Sequence, residues 1–263
     1  MMGRSFTFTH ALCRSPAPSV VHGLRADDRG NPDPDVFARE HAGYVEALRA
    51  AGAEVIVLQQ QDAFPDSVFI EDPALVLNGV AILLRPGAPS RTGEAAALRP
   101  ALKANVGHVV DLPPGGYVDG GDILCSDSEV MVGLSARTDA AGAEALRPLV
   151  EDLGYRLRVL DTPAEILHFK TDSALLDAET ILSTARLAAT GCFDGYRVIE
   201  VPEGEEAAAN AMRFNAHVFL ADGFPATADR LTNAGYSVRA LPVTQAALVD
   251  GGLSCMSLRY TRG

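Results

Sequence analysis

Five times in this chain a helix-like segment runs to a glycine and then into a short apolar strand. The glycines are Gly52, Gly107, Gly154, Gly195 and Gly235, and the strands they lead are expected at 53–58, 107–112, 154–160, 195–201 and 235–241. The repeat length, roughly 40–55 residues, falls in the range of propeller and solenoid arrays. Each glycine suits the position just past a helix end, where a left-handed backbone costs Gly little. Paired strands are then expected at 67–76 with 81–84, 118–124 with 130–132, and 173–176 with 180–182, and 214–220 forms part of a fourth element. The fifth unit has only a final strand at 253–260, which an opening strand at 6–11 would complete. Five copies fill the chain with no spare segment. The expectation is therefore one domain over 1–263 whose units close into a ring, in preference to an open α/β sheet. A closed ring leaves few free sheet edges and brings strands from every unit to one central channel.

The first helix shows the local logic. Asp33 and Pro34 suit the cap and first turn, and Phe37, His41, Tyr44, Leu48 and Ala51 make one apolar stripe. The longest apolar run, 74–84, has Asn78-Gly79 at its centre and reads as a hairpin, not as a membrane span. Residues 1–16, broken by Thr7, Thr9 and His10, do not read as a secretory signal. A net charge of −12 argues against nucleic acid and anionic membranes as partners and is compatible with a small cationic substrate. Cys13, Cys125, Cys192 and Cys255 are scattered, without CxxC pairs or zinc spacing, which fits reduced thiols in a cytoplasmic protein.

In a ring, corresponding strand starts face the axis and carry the chemistry. The first unit places Asp66, Glu71 and Asp72 there, the second Asp119 and Asp122, the third His168, and the last Cys255 behind Asp250-Gly251-Gly252. Carboxylates flanked by apolar strand residues carry a desolvation cost that a bound cation relieves. A thiol, a histidine and several carboxylates in one cavity suit attack on a guanidinium: the thiolate adds to the central carbon, His protonates the departing amine, and carboxylates hold the cation. Taken singly, Cys255 is as easily a packed thiol and His168 a satisfied core histidine. Asp119 and Asp122 are followed by no further ligands at hard-cation spacing, so no metal is expected, and Asp122 is as easily a turn cap. The other three cysteines have no acid or base neighbours and read as structural.

Six segments together decide between these readings. They are Phe-Pro-Asp-Ser-Val-Phe-Ile-Glu-Asp (64–72), Arg-Pro-Gly-Ala-Pro-Ser-Arg (85–91), Asp-Gly-Gly-Asp (119–122), Ser-Ala-Arg-Thr (135–138), Leu-His-Phe-Lys (167–170) and the run around Cys255. In this order, from about residue 24 to the C-terminus, the sequence resembles the dimethylarginine dimethylaminohydrolases of the guanidine-modifying (pentein) superfamily. The resemblance implies a five-bladed α/β-propeller of pseudo-fivefold ββαβ repeats around a central active-site channel. It also implies hydrolysis of N-methylated arginines to citrulline and a methylamine, without a cofactor. By that resemblance Cys255 is the nucleophile, forming a thiouronium intermediate, His168 the acid and then base, and Asp119 the carboxylate orienting it. Glu71 and Asp72 match the guanidinium site, Asp66 a substrate-binding acid, and Arg91 with Arg137 the pair binding the substrate α-carboxylate. Leu24 and Val249 match contacts to the amino-acid end, and residues 23–35 match a mobile lid. Rival readings are an arginine or agmatine deiminase of the same superfamily, and a non-catalytic binder of arginine-like ligands. A homodimer is left open.

Overall fold

Each repeat folds as a hairpin, a helix and a returning strand. The structure is a computed structural model that describes residues 5–262. β1 (His10–Arg14) opens it, followed by α1 (Pro34–Ala50) and β2 (Glu54–Leu58). The next unit runs β3 (Ala74–Leu77), β4 (Val80–Leu83), α2 (Glu94–Asn105) and β5 (His108–Asp111). After it come β6 (Ile123–Cys125), β7 (Glu129–Leu134), α3 (Ala140–Asp152) and β8 (Arg156–Asp161). The fourth unit is β9 (Ser173–Leu175), β10 (Thr180–Ser183), α4 (Ala185–Ala188) and β11 (Arg197–Glu200). The fifth is β12 (Met212–Phe214), β13 (His217–Ala221), α5 (Pro225–Asn233) and β14 (Ser237–Leu241), after which β15 (Ser257–Tyr260) closes the set.

These strands form five three-stranded sheets, ordered β3-β4-β5, β6-β7-β8, β9-β10-β11, β12-β13-β14 and β15-β1-β2. In each sheet the first two strands are antiparallel and the third joins the middle one in parallel. The connecting helix makes that parallel return possible. The first and last strands of the chain share one sheet, with His10 opposite Tyr260 and Cys13 opposite Ser257. The fold is thus a five-bladed α/β propeller, closed by pairing between its two ends. An axial cavity of about 910 Å³ draws its wall from β3, β6, β9, β12 and β15, one strand from every sheet.

All five glycines are left-handed with φ between 87° and 98°, and Gly52, Gly107, Gly154 and Gly235 directly follow a helix C-cap as expected. Gly195 instead lies in turns beyond the short α4, which is capped at Ala189. The side chain of Asp33 accepts from the amides of Asp35 and Val36, capping α1. Phe37, Tyr44 and Leu48 of that helix pack with Phe214 and Phe219 of the neighbouring sheet, so the helix face cements two blades. Burying a side chain of this size contributes about 1.5–3 kcal/mol. Among the described residues no helix is long and apolar enough to cross a membrane.

Several expected strands are shorter or displaced. The opening strand is 10–14 rather than 6–11, whereas 214–220 falls, as expected, within a two-stranded element, a hairpin turning at Asn215, a left-handed residue with φ of 53°. Residues 67–73 are turns, 120–122 form a 3-10 turn, and 254–256 form another before β15. In all three places the backbone leaves the ladder to present a polar side chain at the axis.

Candidate active site

The turn Gly120–Asp122 delivers two buried carboxylates to one histidine. Asp119 Oδ2 lies 3.2 Å from His168 Nε2, while its Oδ1 accepts from the Gly87 amide at 2.8 Å. Asp122 does not touch the imidazole with a hydrogen bond but organises what surrounds it. Its Oδ1 accepts from the Phe169 amide at 2.8 Å, and its Oδ2 accepts from the hydroxyls of Ser135 and Thr138 at 2.7 Å each. The Thr138 hydroxyl in turn accepts from the Asp119 amide at 3.0 Å. One carboxylate therefore ties together the backbones on either side of the Asp119–His168 pair. In sequence Asp122 read equally well as a turn cap, and only the folded contacts reveal this wider part.

Gly121 makes the crowding possible. A Cβ there would lie 2.7 Å from His168 Nδ1 and 2.9 Å from Asp72 Oδ1. The same residue's amide donates to Asp72 Oδ1 at 2.9 Å, bringing a third carboxylate beside the ring.

Burial alone would push the imidazole pKa down. The hydrogen bond to Asp119 and the charges of Asp122, Asp72 and Asp119 outweigh it, and the His168 pKa is pushed up to about 9. Burial also works against the charged form of Asp72, but Arg91, His168 and Lys170 overcome it and hold its pKa below the usual carboxylate range. The Asp122 pKa is raised by burial. A raised histidine pKa adds stability that is complete below the unfolded value near 6.5 and is lost as pH rises through about 9. The melting temperature of the wild type, measured relative to Asp119→Asn from pH 6 to 10, should therefore fall across that window. A constant difference would show that the pair does not carry the shift.

Cys255 sits in the 3-10 turn Ser254–Met256 and is buried. The turn is braced from outside by Tyr44, whose hydroxyl donates to the Leu253 carbonyl at 3.0 Å and bonds the Ser257 hydroxyl at 2.6 Å. From inside, Arg259 Nη1 donates to the carbonyls of Ser254 and Ser257 at 2.8 Å each. The Cys255 carbonyl accepts from the Glu71 amide at 3.2 Å, tying the thiol's turn to the Glu71-Asp72 pair. Burial first, then the charges of Asp72 and Glu71, push the Cys255 thiol up to about 11. At neutral pH the resting group is thus the neutral thiol.

The two adjacent acids face different ways. Asp72 meets His168 and Arg91, whereas the Glu71 carboxylate bonds Lys170 at 2.7 Å and Arg259, and lines the axial cavity. Arg91 and Arg137 also differ. Arg91 is 3 % exposed, and its guanidinium donates to Asp72, to Glu94 and to the carbonyls of Phe69 and Asp66. The Arg137 side chain is 20 % exposed, and its ion pair with Asp119 is long, at 4.0 Å. Asp66 is buried, which raises its pKa, and its Oδ1 accepts from the Leu24 amide at 2.9 Å. Val249 is buried beside them, and a Cβ on Gly23 would fall 3.1 Å from both Asp66 Oδ1 and Val249 Cγ1. Leu24, Asp66 and Val249 thus form one corner, while Asp72, Asp119 and His168 form another.

Ligand atoms of Asp72, Asp119 and His168 lie within 4.8 Å of one another. That spacing would suit a small cation, but an imidazole charged at neutral pH is a poor metal ligand. A planar guanidinium is a better match for carboxylates held this way.

A family model described as N,N dimethylarginine dimethylhydrolase, eukaryotic, matches residues 35–169. The N(G),N(G)-dimethylarginine dimethylaminohydrolase of Pseudomonas aeruginosa is 35% identical over 96% of this chain and all of its own. The chain belongs to the dimethylarginine dimethylaminohydrolase family. The Streptomyces coelicolor member is 32% identical, covering 95% of this chain and 96% of that protein. A solved structure of the Pseudomonas aeruginosa enzyme, a cysteine-to-serine mutant complexed with citrulline, superposes with a TM-score of 0.93 at 34% identity, covering 97% of this chain and all of that one. Similarity over this length accounts for the segments at 64–72, 85–91, 119–122, 135–138 and 167–170 occurring together and in order.

Proposed function

We propose that this propeller, acting as one domain, hydrolyses Nω-methylated arginines to citrulline and dimethylamine or methylamine, through a covalent intermediate on Cys255. The observation that carries the reading is the buried His168, hydrogen-bonded to Asp119 and crowded beside Asp72, an environment that pushes its pKa up to about 9. Such a group is a ready acid for a departing amine. Family membership supports the substrate class.

The steps follow from the electrostatics. A bound guanidinium cation offsets the Asp72 charge that keeps the thiol neutral, so the complex favours the thiolate more than the free protein does. The thiol proton passes to solvent as Sγ adds to the central guanidinium carbon. The bond from that carbon to the methylated nitrogen breaks, and the nitrogen takes its proton from His168. A water then gives one proton to the neutral imidazole and its hydroxyl to the carbon, and the carbon–sulfur bond breaks as the hydroxyl proton passes to the departing sulfur, releasing citrulline and the thiol. Asp119 holds the ring orientation through both proton transfers.

At the other end of the substrate, Arg137 supplies an accessible cation for the α-carboxylate, and Leu24 and Val249 contact the amino-acid end beside Asp66. Arg91 serves from beneath by fixing Asp72, and Glu71 sets the charge behind the thiol. Arg137→Ala should raise KM by about tenfold with little change in kcat, as expected for loss of uniform binding. An unchanged KM would remove Arg137 from the clamp.

Turnover with arginine, monomethylarginine and asymmetric dimethylarginine side by side tests the reaction. Citrulline with stoichiometric methylamine or dimethylamine is expected. Ammonia from unmethylated arginine as the preferred product would move the assignment to a deiminase. Absence of turnover with ligand still binding would make the protein a silent binder.

A further inference from the structure

Residues 26–31 are exposed along their whole length, so polar bonds rather than apolar packing hold this segment to the body. Within it, Arg25 folds the chain on itself, donating to the carbonyls of Val21 at 2.6 Å and Gly30 at 2.7 Å. Its attachments elsewhere, among the described residues, are few. Leu24 donates to Asp66, as described. The Ala26 amide donates to Asp250 Oδ2 at 2.5 Å, Arg29 Nη2 donates to the Ala247 carbonyl at 2.5 Å and lies 3.4 Å from Asp250 Oδ1, and the Asp33 amide donates to Gln245 Oε1 at 2.7 Å. All but the first end on one short stretch, 245–250, which runs directly into Gly251-Gly252 and the turn of Cys255.

Asp250 is also the odd residue of that stretch. It follows the 3-10 turn Ala246–Val249 with φ of 55° and ψ of 16°, a left-handed conformation that Asp tolerates better than most side chains. The other two left-handed non-glycine residues among those described, Asn78 and Asn215, turn simple hairpins. Asp250 instead turns the backbone between Val249 and the nucleophile run, and that turn points its carboxylate at the exposed segment. The next position has no room for a side chain that could take over this role, because a Cβ on Gly251 would fall 2.1 Å from the Phe69 ring.

We propose that Asp250 is a positioning residue, the latch that holds residues 24–33 closed over the substrate's amino-acid end and fixes that closure to the stretch leading into the turn that carries Cys255. The latch consists of one carboxylate acting on the Ala26 amide and the Arg29 guanidinium. Its consequence for substrate rests on the hydrolase reading above, but the latch itself does not.

Asp250→Asn and Asp250→Gly separate charge from backbone, since both replacements accept a left-handed residue. Trypsin cutting after Arg25 and Arg29 in the native protein reports opening without any reference to activity. Losing a hydrogen bond to a charged group corresponds to about tenfold in an equilibrium. Cleavage confined to those two sites should therefore run about tenfold faster in both variants, and KM for the methylated arginine should rise by a similar factor with kcat held within about threefold. Cleavage at the wild-type rate would overturn the latch. Faster cleavage with an unchanged KM would overturn its link to substrate. If Asp250→Asn is cut throughout the chain, Arg29→Gln, altered at a side chain 56 % exposed, tests the latch instead: the cut at Arg25 should again run faster, and a wild-type rate there would overturn it. A wild type that hydrolyses no methylated arginine would defeat the hydrolase reading and leave the cleavage comparison intact.

Discussion

Cys255→Ser is expected to abolish steady-state turnover, by about 10^4-fold or more, while leaving the fold and ligand binding in place. A serine hydroxyl is a far weaker nucleophile than a thiolate, and its much higher intrinsic pKa meets the same burial and the same Asp72 and Glu71 charges, which outweigh the opposing charge of Lys170. The replacement is nearly isosteric, and the bracing bonds around the turn use backbone carbonyls of Leu253, Ser254 and Ser257, none of which change. Binding should therefore survive and the covalent adduct should not. Mass spectrometry of enzyme quenched during turnover checks this, and retained turnover in the variant would remove Cys255 from the chemistry.

The second large effect is expected where no reacting group is touched. Gly121→Ala would set a methyl group 2.7 Å from His168 Nδ1 and 2.9 Å from Asp72 Oδ1, closer than nonbonded atoms approach. The backbone there is pinned by the Gly121 amide on Asp72 and the Asp122 amide on the Asp119 carbonyl, so the imidazole is what must yield. A displacement approaching 1 Å at such a site costs about 100-fold in rate. The expected result is that loss in kcat with cooperative unfolding retained. A fall of less than about threefold would show that the ring has room to spare.

The fold was legible wherever a local rule had no competitor. A glycine directly after four of the five helices, a cap at Asp33 and the Asn78-Gly79 turn each act through near neighbours and appear as expected, while Gly195 is separated from the short α4 by turns. Misreadings came where the site overrode the ladder. The strand expected at 118–124 is interrupted because Asp119 and Asp122 must leave the sheet to reach Gly87, Thr138 and His168. The hairpin at 212–221 is the paired element expected around 214–220, and the Asn215 that turns it bonds Phe8 and Ala51 through its side chain.

For the site, single residues were easier to find than their partners. Cys255, His168, Asp119 and Asp72 were visible as polar residues at strand starts. Arg91 was expected beside Arg137 on the substrate α-carboxylate, and nothing local showed that it would be buried against Asp72 and Glu94. The opposite orientation of Glu71 and Asp72 could not be read at all. It depends on Lys170 and Arg259, which the chain brings in from distant units.

The joining of the two chain ends in one sheet has a mechanical consequence. β1 and β15 run antiparallel with His10 opposite Tyr260, so the outer ends of both strands leave the sheet side by side. A pull applied to the two ends together would peel this pair apart one hydrogen bond at a time, instead of shearing all of them at once. The strand that comes loose is the one that follows the thiol. A load shared between both ends, such as a pair of fusion partners or a surface tether, would first free Ser5 from Asp127 and Phe8 from Asn215, and would then open the pair whose second strand follows Cys255.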